Sequence, residues 1–398
     1  MDADIHNPYR KHWTLDPDVV YLNHGSFGAC PKVVLNAQHG WRARMEREPV
    51  RFFVRDLEGL LDTARARLGA FIHADPDDLC FVPNTTAAVN TVFRSLPLAP
   101  GDEILTTNHE YNACNNAINF VADRAGARVV TASIPFPIGS PEQATGAILA
   151  SVTPRTRYAL IDWITSPTAL VLPIKEIVDR LRAQGVETFV DAAHAPGMVE
   201  MDVDDLGAGF CTGNCHKWMC GPKGSAFLHV RRDLQPLVRP LSISHGANSD
   251  RVDRSRFRIE ADWTGTNDPS AFLTVPAAID FFDDLLDGGW DELRAHNRAL
   301  ALDGRRLLCD ALGIAPPAPA EMIGAIATVP ISDGTATGPP RSPLYADPLQ
   351  AALLERFGVQ APVIPWPAPP RRVLRISAQL YNTVADYETL ARALPTLL

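Results

Sequence analysis

The chain has 398 residues, 46% of them hydrophobic and 21% charged, with 37 basic against 46 acidic side chains and a formal net charge of −9. These are the proportions of a large globular protein with a substantial core, and they exclude a disordered or fibrous chain. An acidic chain without a basic stripe is not built to bind nucleic acid or an anionic membrane, and no apolar run is long enough to predict a membrane-spanning helix.

In chain order, Met1 to Thr14 is polar and mixed in charge, unlike a signal peptide. Helices are predicted at 33–47 and 56–71, a strand at 79–82, a helix at 87–96, and strands at 103–106, 128–131 and 158–161. A helix at 176–184 and strands at 187–190, 209–212 and 226–230 follow. Short continuous apolar strands alternating with helices predict a mainly parallel sheet covered on both faces. From about 276 the pattern changes. Helical stretches, among them 291–312, lead to a strand at 325–329, a Gly/Pro-rich surface connector at 333–343, a helix at 348–357, a strand at 373–377 and a last helix from 384. The expected division is an N-terminal arm (1–20), a large domain (21–275) and a small α+β C-terminal domain (276–398). The 34 prolines are scattered, as fixed turns would be. The seven cysteines, an odd number in a large chain, suggest reduced thiols and a cytoplasmic setting.

Two short stretches carry the chemistry. Asp191 ends an apolar strand and leads into Ala192-Ala193-His194; Lys217 lies in Asn214-Cys215-His216-Lys217-Trp218, just after another strand. In α/β sheets, ligands bind beyond the carboxyl ends of the strands, so the acid and the amine can meet there. That pair suits pyridoxal 5′-phosphate, which needs a lysine for its aldehyde and a carboxylate for its pyridine nitrogen, with His194 close enough to pack near the ring. Asn84-Thr85-Thr86 follows a strand and opens a helix, where free N–H groups and the helix dipole receive a phosphate; the same pattern also serves as an ordinary N-cap. Cys211, Cys215 and Cys220 surround the lysine, but their spacing fits neither a CxxC pair nor a zinc ribbon. Arg51 and Arg55, four apart on a predicted helix, are candidates for a distal substrate carboxylate or for a solvated face.

Asp191-Ala-Ala-His194 with His216-Lys217-Trp218 resembles the class V aminotransferases, fold-type I pyridoxal-phosphate enzymes. Asn23-His24-Gly25-Ser26-Phe27-Gly28 and Leu374-Arg375-Ile376-Ser377 are similar to the isopenicillin N epimerase-like branch. The resemblance, over about residues 20 to 395, implies a large, mainly parallel, seven-stranded-type sheet with helices on both faces plus the smaller C-terminal domain. It implies that Lys217 holds the coenzyme as a Schiff base and exchanges the Cα proton. Asp191 would pair with the pyridine nitrogen, with His194 nearby, and Thr85, Thr86 and His216 would bind phosphate. Tyr111 would stack on the ring, Ser166 would approach its oxygen side, and Arg375 would clamp the substrate carboxylate. Gly265 and Thr266 resemble a segment that reaches the neighbouring subunit's phosphate, which implies a homodimer with shared sites. Asn214 stands where many relatives have Ser, and Ala169 where they often have Gly.

The implied reaction is epimerisation at Cα of an amino acid, with Tyr111 and His24 as candidates for the second acid/base and His24 also lining the substrate cavity. C–S β-elimination, transamination, or coenzyme binding without turnover are the alternatives. A desulfurase route through a persulfide is not expected, because the only cysteine beyond 220, Cys309, falls in a predicted helix.

Overall fold

A computed structural model describes residues 7–335 and 347–398; most of the connector expected at 333–343 therefore lies outside the described residues. Twelve strands form among them. After β1 (Val20–Tyr21) come β2 (Leu79–Val82), β3 (Glu103–Thr107), β4 (Arg128–Ala132), β5 (Thr156–Asp162), β6 (Glu187–Asp191), β7 (Phe210–Asn214) and β8 (Ala226–Val230). Then follow β9 (Ile326–Ile331), β10 (Val359–Gln360), β11 (Val363–Pro365) and β12 (Arg372–Ser377).

Strands β2 to β8 make one seven-stranded sheet in the order β2-β8-β7-β6-β5-β3-β4. Strands β2, β3, β7 and β8 are buried along their whole length, whereas β4, at the edge, is largely exposed. Burial on both faces is why these strands read as unbroken apolar runs instead of alternating ones. The sheet is parallel except at β8, which runs antiparallel to both β7 and β2. Two helices on this sheet escaped the sequence pattern, Asn112–Ala125 and Pro141–Ala150. The first carries four asparagines, whose side chains compete with the backbone and depress helix propensity, so packing decides there.

The C-terminal part forms an antiparallel sheet, β11-β12-β9, backed by the helices Gly289–Leu312 and Val384–Ala393. The N-terminal stretch is sewn onto this part. β1 pairs in parallel with β10, the Asn7 amide donates to the carbonyls of Leu380 and Asn382, and Ser377 N–H donates to Leu22 O. Residues 23–28 then pass beneath the large sheet's carboxyl edge, so the two sheets are joined across the region where a ligand would bind.

Glu103, at the start of β3, is buried and receives Arg128, Arg155 and Thr153, tying together the first turns of β3, β4 and β5. Burial opposes its ionisation, but these hydrogen bonds outweigh burial and hold the carboxyl down to about 2. A depressed carboxylate stabilises the fold above its unfolded pKa of about 4.3, and the contribution fades as pH falls toward the folded value. Glu103→Gln should therefore lower the unfolding free energy by about 1–3 kcal/mol at neutral pH. In denaturant titrations the gap to wild type should narrow below about pH 4.

Candidate active site

Strand register assembles the site. Asp162, the last residue of β5, is the register partner of Asp191, the last of β6, and Asp191 partners Thr212 of β7. Two carboxylates thus stand side by side at one edge of the sheet, and the turn after β7 delivers Lys217 beside them. Two glycines let other backbone stretches press on that turn. Gly197 has φ +85°, and a Cβ there would lie 2.7 Å from the Trp218 carbonyl. Gly28 has φ +70°, and a Cβ there would overlap the carbonyl of His216. Only glycine combines this dihedral with this approach.

The Lys217 amine lies 3.0 Å from His194 Nε2. Among the described residues no carboxylate is within ion-pair distance of it. Desolvation, then the charge of Arg375, brings the amine down to about 8, so a sizeable share is neutral near physiological pH. Burial, reinforced by Lys217, pushes His194 well below its usual range. Asp191 accepts from Ala193 N–H at 2.9 Å and lies 3.4 Å from the Cys114 thiol. Glu110, at the end of the loop after β3, completes a buried trio of acids with Asp162 and Asp191. Burial first, and then mutual repulsion, raises Glu110 and Asp162 well above ordinary carboxyl values. Glu110 and Asp162 lie within side-chain hydrogen-bond reach of each other, so the proton that burial keeps on Glu110 can be donated to Asp162.

At the opposite end of the pocket, the helix Thr85–Ser95 points its N-terminus inward, capped by the Asn84 side chain on Ala87 N–H. It starts two residues earlier than the sequence pattern predicts, which makes Thr85 its first residue. Thr85 N–H donates to Asn214 Oδ1 at 3.1 Å, while the Thr85 hydroxyl is buried and unpartnered; Thr86 follows, partly exposed. Asn214 thus spends its amide oxygen on the helix terminus, and its NH₂ group remains to donate. His216 lies within 3.0 Å of Ser225 O through Nδ1, so its Nε2 can donate to a phosphate only when the ring is protonated.

Arg375, on β12, is buried and held entirely by neutral oxygens: Ser166 O at 2.6 Å, Ser166 Oγ at 3.1 Å and Ser26 Oγ at 3.0 Å. No carboxylate pairs with it among the described residues, and burial brings it down to about 10. Both Ser166 oxygens thereby accept from the arginine, and the Ser166 hydroxyl proton remains to donate. The loop that carries it holds Ala169 at φ +60°, a left-handed conformation in which glycine is the easier residue. Tyr111 is 48% exposed at the mouth of the pocket; burial of its inner part raises its phenol, with Arg375 and Asp191 within electrostatic reach.

Two expectations need correction. His24 has no exposed surface and no free nitrogen: Nδ1 is 2.8 Å from the Tyr381 hydroxyl and Nε2 is 3.0 Å from Lys217 O. Burial lowers it to about 3, so it props the lysine's backbone and offers a substrate neither proton nor contact. Arg51 and Arg55 are exposed, and a π-helical turn at Phe52–Asp56 breaks the helical face they were expected to share; Arg51 instead approaches Glu48 and Asp56. Thr266, expected to serve the neighbouring subunit's site, is exposed in the loop before Ser270. Cys309 is buried in the helix Gly289–Leu312.

An amine, a carboxylate at a strand end and an orphaned hydroxyl at a helix N-terminus fit pyridoxal 5′-phosphate. Sequence reasoning gave no role to Glu110, Cys114, Ser26 or the Trp218 indole. The position of Glu110 and Cys114 beside Tyr111 was the available signal for the first two.

A family model described as aminotransferase class-V matches residues 21–334. Isopenicillin N epimerase of Streptomyces clavuligerus is 35% identical over 403 residues, covering 98% of this chain and 97% of that protein. A probable chloroplastic L-cysteine desulfhydrase of Arabidopsis thaliana is 31% identical over 415 residues, covering 98% and 85%. Among solved structures, a variant of C-DES with glycine covalently linked to its pyridoxal-phosphate cofactor shares the fold. Its TM-score is 0.77 at 20% identity, over 97% of this chain and 99% of that one.

The acid trio makes a prediction about the protein free of ligand. A carboxyl raised by burial costs stability as pH climbs from its unfolded pKa toward its folded one. Glu110→Gln and Asp162→Asn should therefore each be more stable than wild type above about pH 5, by about 1–3 kcal/mol. The gain should vanish near pH 4 in thermal denaturation.

Proposed function

This chain belongs to the aminotransferase class-V family and is a pyridoxal-phosphate-dependent enzyme, and on that premise we propose that it epimerises an α-amino acid at Cα. The residues that would hold the coenzyme are Lys217, Asp191, His194, Thr85, Thr86, His216, Ser166 and Tyr111. When bound, it supplies an aldehyde for the amine and an electron sink for the charge left at Cα.

The observation that carries the amino-acid reading is the buried guanidinium of Arg375, surrounded by neutral oxygens alone. A desolvated cation without a counter-ion favours an incoming anion, and the planar fork suits a carboxylate. An α-carboxylate bound there would orient Cα toward Lys217, whose partly neutral amine can take the α-proton. Epimerisation needs a second proton carrier on the other side. Tyr111 keeps its phenol proton because burial raises it, and it stands at the mouth of the pocket within reach of Arg375. Its hydroxyl would return the proton that inverts the centre.

C–S β-elimination is the second reading, favoured by one observation. With both nitrogens of His24 engaged, Tyr111 is the single second candidate, whereas elimination can proceed with Lys217 alone, which removes the Cα proton and returns one to the leaving sulfur. The L-cysteine desulfhydrase similarity points the same way.

The same premise supports a homodimer in which Thr266 serves the neighbouring site. Leu241, Ile243 and Val252 are strongly exposed apolar side chains, and a cavity of about 510 Å³ runs between the Thr264–Asn267 loop and the start of the Thr85–Ser95 helix. Such a surface is unusual for a protein that stays monomeric. The seven unpaired, buried thiols suit a reducing compartment such as the cytoplasm, and no described helix is long and apolar enough to cross a membrane.

Incubation with amino acids and cysteine conjugates in heavy water tests the reaction. Deuterium at Cα of both stereoisomers supports epimerisation; pyruvate without inversion replaces it with elimination. Lys217→Ala should lose the yellow colour and all turnover. Arg375→Ala should keep the colour and weaken amino-acid binding by about 100-fold or more in spectral titrations. Unchanged binding would remove Arg375 from the clamp. Sedimentation should give twice the chain mass, and Thr266→Ala should weaken coenzyme retention.

A further inference from the structure

Lys217, His194 and Trp218 form a hydrogen-bonded row. The Trp218 indole N–H donates to His194 Nδ1 at 3.2 Å, and His194 Nε2 is 3.0 Å from the Lys217 amine. An indole nitrogen is a donor and never an acceptor. His194 Nδ1 must therefore accept, and a neutral ring with an accepting Nδ1 carries its proton on Nε2. That proton faces the amine. An N–H can donate to Lys217 only if the amine has a lone pair, hence only as NH₂; an ammonium in the same place would set donor against donor.

We propose that Trp218 is a positioning residue that fixes the His194 tautomer and thereby holds Lys217 as the neutral, nucleophilic amine when the coenzyme is absent. The inference deepens the coenzyme-binding reading and rests on it for its kinetic consequence. In the attachment step the Lys217 lone pair forms a bond to the aldehyde carbon, the nitrogen gives up its protons, and one water leaves with the aldehyde oxygen. An amine already neutral does not have to shed a proton first.

The surroundings support a rigid device. Trp218 is almost completely buried, and its ring packs 4.9 Å from the His24 ring. His24 is itself fixed to the Tyr381 hydroxyl and Lys217 O. The backbone beside Gly197 closes on the Trp218 carbonyl, and a Cβ at Gly25 would lie 3.6 Å from the indole, so both the backbone and the ring of Trp218 are packed. The groups facing the amine are Arg375, which favours NH₂, Asp191, which favours the ammonium, and Cys114 and Asp162, which burial pushes toward their neutral forms. Those facing His194 are Lys217, Arg375, His216 and His24, all of which disfavour a second ring proton. The opposing charges around Lys217 leave the tautomer as a deciding influence, and burial, with the nearby charge of Arg375, keeps the His194 ring neutral so that the tautomer is defined.

The test uses the full chain stripped of coenzyme with hydroxylamine. The rate at which added pyridoxal 5′-phosphate restores the yellow colour is followed from about pH 6 to about pH 10 in wild type, Trp218→Phe and Trp218→His. Phe keeps the ring but drops the N–H; His keeps a donor. Trp218→Phe should move the midpoint of the rate profile up by about one pH unit, making attachment about tenfold slower on the acid side and equal on the alkaline plateau. Trp218→His should recover part of the shift. An unmoved or lowered midpoint, or a slowing that is uniform across pH, overturns the proposal. The tautomer itself is read in wild type by long-range proton–nitrogen-15 spectra of labelled histidines, with His194→Gln for assignment. A protonated Nε2 and an accepting Nδ1 support the row, and the reverse overturns it even if the variants fail to fold. A wild-type chain that never turns yellow would instead sink the coenzyme reading, leaving the tautomer measurement valid.

Discussion

Asp162 and Asp191 occupy partnered positions at the ends of adjacent parallel strands, and Glu110 joins them from the loop after a third. Placing three carboxyls within one dry edge of a sheet is costly, because burial penalises all of them and Asp191 raises both Glu110 and Asp162. The fold offsets this by bringing cations from elsewhere. Lys217 arrives from the turn after β7, and Arg375 from β12 in the other sheet, which residues 7–28 and the hydrogen bonds of Thr328 and Met322 to the loop after β5 hold against the edge.

Lys217 is close enough to feel Asp191 and Asp162 and too far to pair with them, and Arg375 pairs with no described carboxylate. Lys217 has a histidine for its nearest partner, and Arg375 has only hydroxyl and carbonyl oxygens. A protein selected for stability alone would close such charges into ion pairs, as it does at Glu103 with Arg128 and Arg155. The unpaired amine, guanidinium and Thr85 hydroxyl gather at the carboxyl ends of the large sheet's strands, and each lacks the kind of partner that an aldehyde, a carboxylate and a phosphate would supply.

Much of this was legible before folding. The strands of the large sheet were readable because strands covered on both faces must be apolar throughout, and Asp191, Lys217 and the Asn84-Thr85-Thr86 turn stood out because polar residues at strand ends interrupt that pattern. The helix Asn112–Ala125 was hidden, since its asparagines favour turns unless packing overrules them. His24 was misread for a related reason. A histidine in a glycine-rich turn looks available, and nothing local reveals that Tyr381 and the carbonyl of Lys217 will take both of its nitrogens.

The sequence by itself determined the class of sheet, the coenzyme chemistry, and the acid, the amine and the helix-opening threonines at the strand ends, because those depend on residue type at the ends of apolar runs. Tertiary structure alone decided which charges stay unpaired, which histidine is enclosed, and that an indole dictates the tautomer beside the lysine. Hydrogen-bond direction and desolvation arise between residues distant in sequence, so no local pattern carries them.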